Sequence, residues 1–179
     1  QPRFGEFVDR NADGVIDYKD RYFYKKSDPD VTMGLSTKLT YKNWDLGLGF
    51  RASLNNYAYN GVEAGDNMNT GMSRLYSGNT WHNTFNYELA KDWTSSSANA
   101  SCSDYFIQNA SFLKLDNITL GYSFNHIGKS KINGRVYATA QNVFTITKYK
   151  GLDPEIDGGY DNNVYPRPFT GILGVSLNF

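Results

Sequence analysis

Large apolar residues alternate with small or polar ones in five separate stretches of this chain, and a period of two marks β-strands with one apolar face. The cleanest stretch is Trp44 to Asn55, where Trp44, Leu46, Leu48, Phe50, Ala52 and Leu54 interleave with Asp45, Gly47, Gly49, Arg51, Ser53 and Asn55. Ahead of it, across a Lys42-Asn43 turn, Val31 to Tyr41 sets Met33, Leu35, Leu39 and Tyr41 against Gly34, Ser36, Lys38 and Thr40. Phe112 to Phe124 changes phase midway: Leu113 and Leu115 share one parity, whereas Ile118, Leu120, Tyr122 and Phe124 share the other. A bulge near Asp116-Asn117 would restore the register. In Arg135 to Thr147, Val136, Ala138, Ala140, Phe144 and Ile146 fall on one side. The last stretch, Phe169 to Phe179, puts Phe169, Leu173, Val175, Leu177 and Phe179 on one face together with Gly171. Thr170, Gly174, Ser176 and Asn178 lie opposite, with Ile172 as the apolar exception.

A strand of about ten residues, tilted by about 45°, crosses the hydrocarbon core of a bilayer. The connections between the strands alternate between short (42–43 and 125–134) and long (56–111 and 148–168). That alternation fits a transmembrane barrel with tight periplasmic turns and long extracellular loops. With the C-terminal aromatic at the periplasmic end, residues 1–30, 56–111 and 148–168 are expected outside the cell. Five strands cannot close a barrel, since bacterial ones begin at about eight. An open sheet would also leave two edges unpaired in hydrocarbon. The pattern therefore predicts an all-β fold made of antiparallel strands from a larger barrel wall. Residues 1–30 are read as an extracellular loop and 31–179 as barrel strands and loops.

Composition narrows this picture. The 18 basic and 18 acidic residues cancel, which gives no argument for a nucleic-acid partner. Aromatics reach 16%, with 14 Tyr, and suit both strands and membrane interfaces. A mean hydropathy of −0.56 is compatible with a membrane wall that is apolar on one face only. No run of about 18 apolar residues predicts a membrane helix. Gln1-Pro-Arg-Phe has no apolar leader character, so the export signal is expected outside this stretch. Cys102, the single cysteine, has no internal partner.

One loop carries candidate metal chemistry. Asp9, Asn11, Asp13, Asp17 and Asp20 place side-chain oxygens at positions 1, 3, 5, 9 and 12 of a calcium-type loop. Gly14 takes the sharp turn at position 6, and the Val15 carbonyl would serve position 7. Asp rather than Glu at position 12 shortens bidentate reach, so Ca²⁺ would be held weakly and Mg²⁺ becomes admissible. Asp, Asn and Gly also build such a turn without any ion.

The 56–111 loop holds Tyr57, Tyr59, Tyr76, Trp81, His82, Phe85, Tyr87 and Trp93. Tyr57, Tyr59, Trp81, Tyr87 and Trp93 are candidate contacts for a substrate or a protein lid, with a self-packed aromatic cluster as the plainer alternative. No enzyme signature stands out: His82 and His126 lack ligand-spaced partners, and no nucleophile motif or phosphate loop occurs. Two function classes follow. One is an outer-membrane importer, and the other is a secreted, calcium-stabilised, β-rich carbohydrate-binding module.

Particular segments favour the first class. Asn109-Ala-Ser-Phe-Leu-Lys-Leu-Asp-Asn-Ile-Thr-Leu-Gly-Tyr-Ser-Phe124 resembles a stretch shared by SusC-like TonB-dependent transporters (the SusC/RagA family). Arg135 to Tyr149 resembles their next strand, Gly151-Leu-Asp-Pro-Glu155 a following loop, and Tyr165-Pro166 the approach to their last strand. The Asp-x-Asn-x-Asp-Gly loop with Asp20-Arg21 is similar too. Lys114, Asp116 and Asn125-His126 depart from the pattern. The resemblance implies a plugged barrel of about 22 strands, of which these would be the last five. It also implies a SusD-like lipoprotein lid, import of oligosaccharide or peptide driven by TonB through an upstream plug, and an outer-membrane lipid environment. Phe179 is read separately as an assembly signal, since strand capture reads a terminal strand by backbone pairing, with a plain membrane anchor as the competing role.

Overall fold

The computed structural model describes residues 7–68, 76–77, 80–81, 104–125, 132–162 and 165–178. The chain divides into two compact units, one of strands (Pro29–Asn55, Ser111–Lys148, Pro166–Phe179) and one of loops (Gln1–Asp28, Asn56–Ala110, Tyr149–Tyr165).

The strand unit is a five-stranded sheet in which β1 (Val31–Tyr41), β2 (Trp44–Leu54), β7 (Phe112–Phe124), β8 (Asn133–Thr147) and β10 (Thr170–Asn178) pair in that order. Every pairing is antiparallel. The strands fall where alternation predicts, with small shifts at their ends. β8 begins at Asn133, two residues early, because Asn133 and Gly134 still pair with Asn178 and Leu177. β2 stops at Leu54, since Asn55 leaves the extended region with φ of 61°. β10 starts at Thr170, opposite Gln141, and excludes Phe169.

The registers align the apolar residues into continuous rungs. Tyr41, Trp44, Tyr122, Val136 and Val175 form one rung across all five strands. Leu39, Leu46, Leu120, Ala138 and Leu173 form the next. Beyond them come Thr37, Leu48, Ile118, Ala140 and Gly171, then Leu35, Phe50, Leu115 and Phe144. One face of the sheet is thus apolar along most of its rungs and largely uncovered: Leu173 is 87% exposed and Leu35 62%, while Leu115, between Phe50 and Phe144, is buried. A soluble sandwich would pack a second sheet against such a face; a membrane wall turns it to lipid.

The bulge falls at Asp116. Phe50 and Gly49 of β2 oppose Leu115 and Asn117, with Asp116 left over, and the β8 ladder slips at the same place. On the β8 side Asn142 adopts φ of 51°, which Asn tolerates better than most residues. This one extra residue keeps Leu113 and Leu115 on the same face as Ile118 and Leu120.

The loop unit has its own small sheet of β3 (Tyr57–Asn60), β6 (Ile107–Asn109) and β9 (Tyr160–Asp161), in the order β6-β3-β9. β3 runs antiparallel to β6 and parallel to β9. β3 leads directly into α1 (Gly61–Met68), whose start is held by Asn60: its side-chain oxygen accepts the Glu63 N–H at 2.9 Å. A short hairpin, β4 (Tyr76–Ser77) with β5 (Thr80–Trp81), completes the described strands. Ala58, Ala110 and Tyr149 form a small core with Ile156 against it. The base of the long loop is stitched by Tyr57 N–H to the Lys26 carbonyl (3.1 Å) and Ala110 N–H to the Asn56 carbonyl (2.9 Å).

Candidate functional site

Three groups of residues have functional bearing. The first is the polar face of the strand unit. Arg135 on β8 donates to both oxygens of Asp45 on β2, from Nε at 2.9 Å and from Nη2 at 2.6 Å. The strand between them, β7, presents Gly121, where a Cβ would collide with both the guanidinium and the carboxylate. Arg135 also lies over the Tyr137 ring, 5.0 Å from its centroid, and that ring occupies the space above Gly174. Further along, Arg51 pairs through its fork with Asp116, the Nη2 bond measuring 2.9 Å. The bulge residue therefore supplies the carboxylate that answers Arg51. Thr119 and Thr139 share a hydroxyl bond of 2.8 Å on the same face. At the turn end, Trp44 and Tyr122 rings meet at 4.8 Å on the apolar face, and Lys42 stands over Tyr41. Aromatics at that rim suit a membrane interface. Tyr57 belongs to β3 in the loop unit, because the chain has already left the sheet at Asn55.

The second group is the calcium-type loop. Asp9 accepts the Ala12 N–H (2.6 Å) and the Gly14 N–H (2.7 Å) on its two oxygens. Asn11 and Asp13 bond each other and the turn, Asp13 taking the Val15 N–H at 2.9 Å. Asp20 accepts from Arg10 N–H (2.8 Å) and Asp17 N–H (2.9 Å), closing the loop on itself. Asp17 caps the short 3₁₀ turn Tyr18–Asp20 by accepting from Lys19 N–H. The amides from Asp17 and Arg10 hold the Asp20 carboxyl below the usual carboxylate range, against a smaller opposing effect of burial. Ala12 and Gly14 both adopt positive φ, 60° and 81°. The donor set Asp9, Asn11, Asp13, Val15, Asp17 and Asp20 is thus hard oxygen in the right order, arranged around backbone amides. Among the described residues, no three acidic, His or Cys side chains gather where they could hold one ion.

The third group is aromatic. Tyr57 receives Lys25, whose Nζ is 4.9 Å from the ring centroid. Tyr59 stacks on Tyr160 with centroids 5.3 Å apart and planes 11° from parallel, and meets Phe106 edge-on at 6.1 Å. Tyr22, under Arg10, donates its hydroxyl to Asp104, a bond that raises the Tyr22 pKa. Trp81 is placed only as a strand residue of β5, while Tyr87, Trp93 and Phe179 lie outside the described residues. The structure thus brings together Tyr59 with Tyr160 and Phe106, a grouping that sequence reasoning missed. It also missed a buried polar set: Tyr149 donates to Asp161 at 2.6 Å, and Glu63 accepts from Asn60 and Gln108. Burial, and then the bond to Asp161, push the Tyr149 hydroxyl far above the ordinary phenol range. The available signals were faint, a Gly-Gly-Tyr run at 158–160 and acids scattered among loop residues.

A largely uncovered apolar face on five tilt-length antiparallel strands, backed by a polar face of ion pairs and glycines, defines a wall segment of a transmembrane β-barrel. Comparison with known proteins agrees. The chain is 51% identical to the TonB-dependent receptor SusC of Bacteroides thetaiotaomicron over 97% of its own length and 17% of that protein. It is 27% identical to TonB-dependent receptor P3 of Formosa agariphila, covering 97% of the chain and 19% of the relative. Among solved structures, the RagAB peptide transporter superposes with a TM-score of 0.69 at 25% identity, covering 92% of this chain and 19% of that one. The RagAB peptide importer in its open-open state gives 0.62 at 27% identity, covering 87% and 18%. No protein-family model matches the chain. The chain belongs to the SusC-like TonB-dependent receptors of the outer membrane and is a segment of their large β-barrel. It spans less than a fifth of the length of SusC or P3.

Proposed function

We propose that the whole receptor imports a nutrient across the outer membrane, and that this segment supplies part of the barrel wall and of the extracellular loops. In this reading a SusD-like lipoprotein covers the barrel, TonB drives transport through a plug, and the cargo is an oligosaccharide or a peptide. The observation that carries it is the 51% identity to SusC across nearly all of the chain. The apolar rungs support it by supplying the lipid contact such a barrel needs. RagAB is a peptide importer, which supports transport as the general activity. The names of the relatives describe receptors and importers, which favours a non-enzymatic role.

The test uses the full-length receptor, tagged in its host. Membrane fractionation should place it in the outer membrane, and mild-detergent purification should bring down a lipoprotein in comparable amount. Deleting the receptor gene should abolish growth on one member of a panel of polysaccharides and protein digests. A receptor without a lipoprotein partner, whose loss leaves growth unchanged on every member, would sink the reading.

For the 9–20 loop, the order of oxygen donors supports Ca²⁺ as an ion that stiffens the loop. Each carboxylate oxygen that accepts one amide keeps a second lone pair. Binding would draw Asp9, Asp13, Asp17 and Asp20 inward from their present arrangement. Trypsin cleavage at Arg10, Lys19 and Arg21 of the full receptor should then slow when Ca²⁺ replaces a chelator; equal rates would remove the ion from the account.

A further inference from the structure

We infer that the connections 56–110 and 149–165 open and close as one body, latched through Gln108 and through the bond from Tyr149 to Asp161. Further chain around this segment can only add cover, so groups already buried here stay buried in the whole receptor. Four such groups lie where the two connections meet. Asn60 and Glu63, each 3% exposed, come from the first, and Tyr149 and Asp161, 6% and 3% exposed, from the second.

Gln108 on β6 is the first joint. Its amide oxygen accepts the Lys150 N–H at 3.1 Å, and its amide nitrogen donates to Oε2 of Glu63. Asn60 donates to the same Glu63 oxygen at 3.3 Å. The second joint lies at β9, where Asn60 pairs in parallel with Asp161 and the Asp161 carboxylate takes the Tyr149 hydroxyl at 2.6 Å. Gly61 lets the two backbones come this close, since a Cβ there would stand 2.5 Å from the Asp161 carbonyl oxygen.

Neither connection can loosen alone. Opening 149–165 would withdraw the Lys150 N–H from Gln108 and lift Tyr149 from Ala58 and Ala110, its partners in the small core. Opening 56–110 would take the same cover from Tyr149. Breaking bonds to buried polar groups costs more than the bonds are worth in water, so the losses on both sides fall together. A coupling of this kind is reciprocal. Whatever steadies one connection steadies the other, and a partner held by either is felt by both. The latch holds whatever the receptor carries.

The experiment follows hydrogen exchange by mass spectrometry in the purified full-length receptor, over 57–64, 107–110 and 149–161. Gly151→Ala strikes only the 149–165 connection, because a Cβ there runs into the Tyr149 ring and stands 2.7 Å from the Asp161 carboxylate. Phe106→Leu strikes only 56–110, by thinning a side chain that is 1% exposed. Each should speed exchange about tenfold in both connections, the loss of one bond to a charged group. Gln108→Ala, which adds no bulk, should loosen both in the same way and serves if either of the others fails to assemble. Exchange over β7 and β8 at the parent rate shows that the wall is intact. Faster exchange confined to the connection that carries the substitution would overturn the proposal, as would no change in either.

Discussion

Arg135 on β8 grips Asp45 on β2 across the whole width of β7, and it can do so because Gly121 leaves the intervening strand bare. Neighbouring strands lie about 4.8 Å apart, so the reach spans two spacings. Backbone pairing joins each strand only to its neighbour, and this side-chain clasp ties three together. Gly121→Val should therefore dislodge the pair and destabilise the barrel by about 1–3 kcal/mol, the usual cost of overpacking. Heat-modifiable migration of the full receptor on gels would read this as a lower melting temperature, and an unchanged one would dismiss the clasp.

The two faces of β7 predict opposite tolerance to charge. Leu120 belongs to an apolar rung, and its neighbour Thr119 faces Thr139 on the polar side. Leu120→Arg should cost about 2–4 kcal/mol, the range for a cation near the lipid midplane. Thr119→Arg should fold and insert close to the parent level. Outer-membrane yields that fall equally for both would contradict the assignment of faces.

Tyr149 gives an alkaline signature. Its pKa is raised in the folded loop unit, so the fold favours the protonated phenol; that contribution is whole below the unfolded value near 10 and shrinks as pH rises toward the folded one. Hydrogen exchange over β3 and β6 should loosen above about pH 10. Tyr149→Phe should remove the step and weaken the unit by about 1.5–3 kcal/mol, typical of a bond to a charged group. An exchange pattern identical in parent and variant would mean the hydroxyl contributes nothing.

Asp20 gives the opposite, acidic signature. Its carboxyl is lowered by the amides of Asp17 and Arg10, so the loop is most firmly closed above the unfolded value of about 4 and opens as pH falls through the lowered one. Pepsin cleavage within residues 9–20 of the full receptor should climb over that interval. Asp20→Asn should flatten the climb, and a parallel curve in the variant would count against the amide bonds.

Phe179 predicts an assembly phenotype. Deleting it from the full receptor should lower the amount of folded barrel in the outer membrane, if the terminal strand is captured by strand addition. Equal amounts with and without it would reduce the residue to an ordinary lipid contact.

The wall was legible in the sequence because a barrel strand must repeat every second residue over its whole length. Even the bulge announced itself, as the parity break between Leu115 and Ile118 that Asp116 resolves. The ion pairs of Asp45 with Arg135 and of Arg51 with Asp116 were not legible, since they depend on registers between strands far apart in sequence. The loop unit was hidden for a different reason. β3, β6 and β9 have four, three and two residues, too few to show a period. Its buried acids Glu63 and Asp161 look like surface residues until Asn60, Gln108 and Tyr149 are seen around them. The calcium-type motif gave the order of its donors but not their closure on backbone amides.

Residues 55–111 leave β2 and return to β7, its immediate partner, through a base fixed by the Asn55 amide on the Ser111 hydroxyl and by Ala110 on Asn56. Once such a gate is pinned, doubling the chain beyond it adds only about 0.6 kcal/mol of closure entropy. The excursion can therefore lengthen, shrink or be exchanged while the ladder between β2 and β7 stays in register. A lineage of barrels built this way is able to rewrite its loops and inherit its wall unchanged.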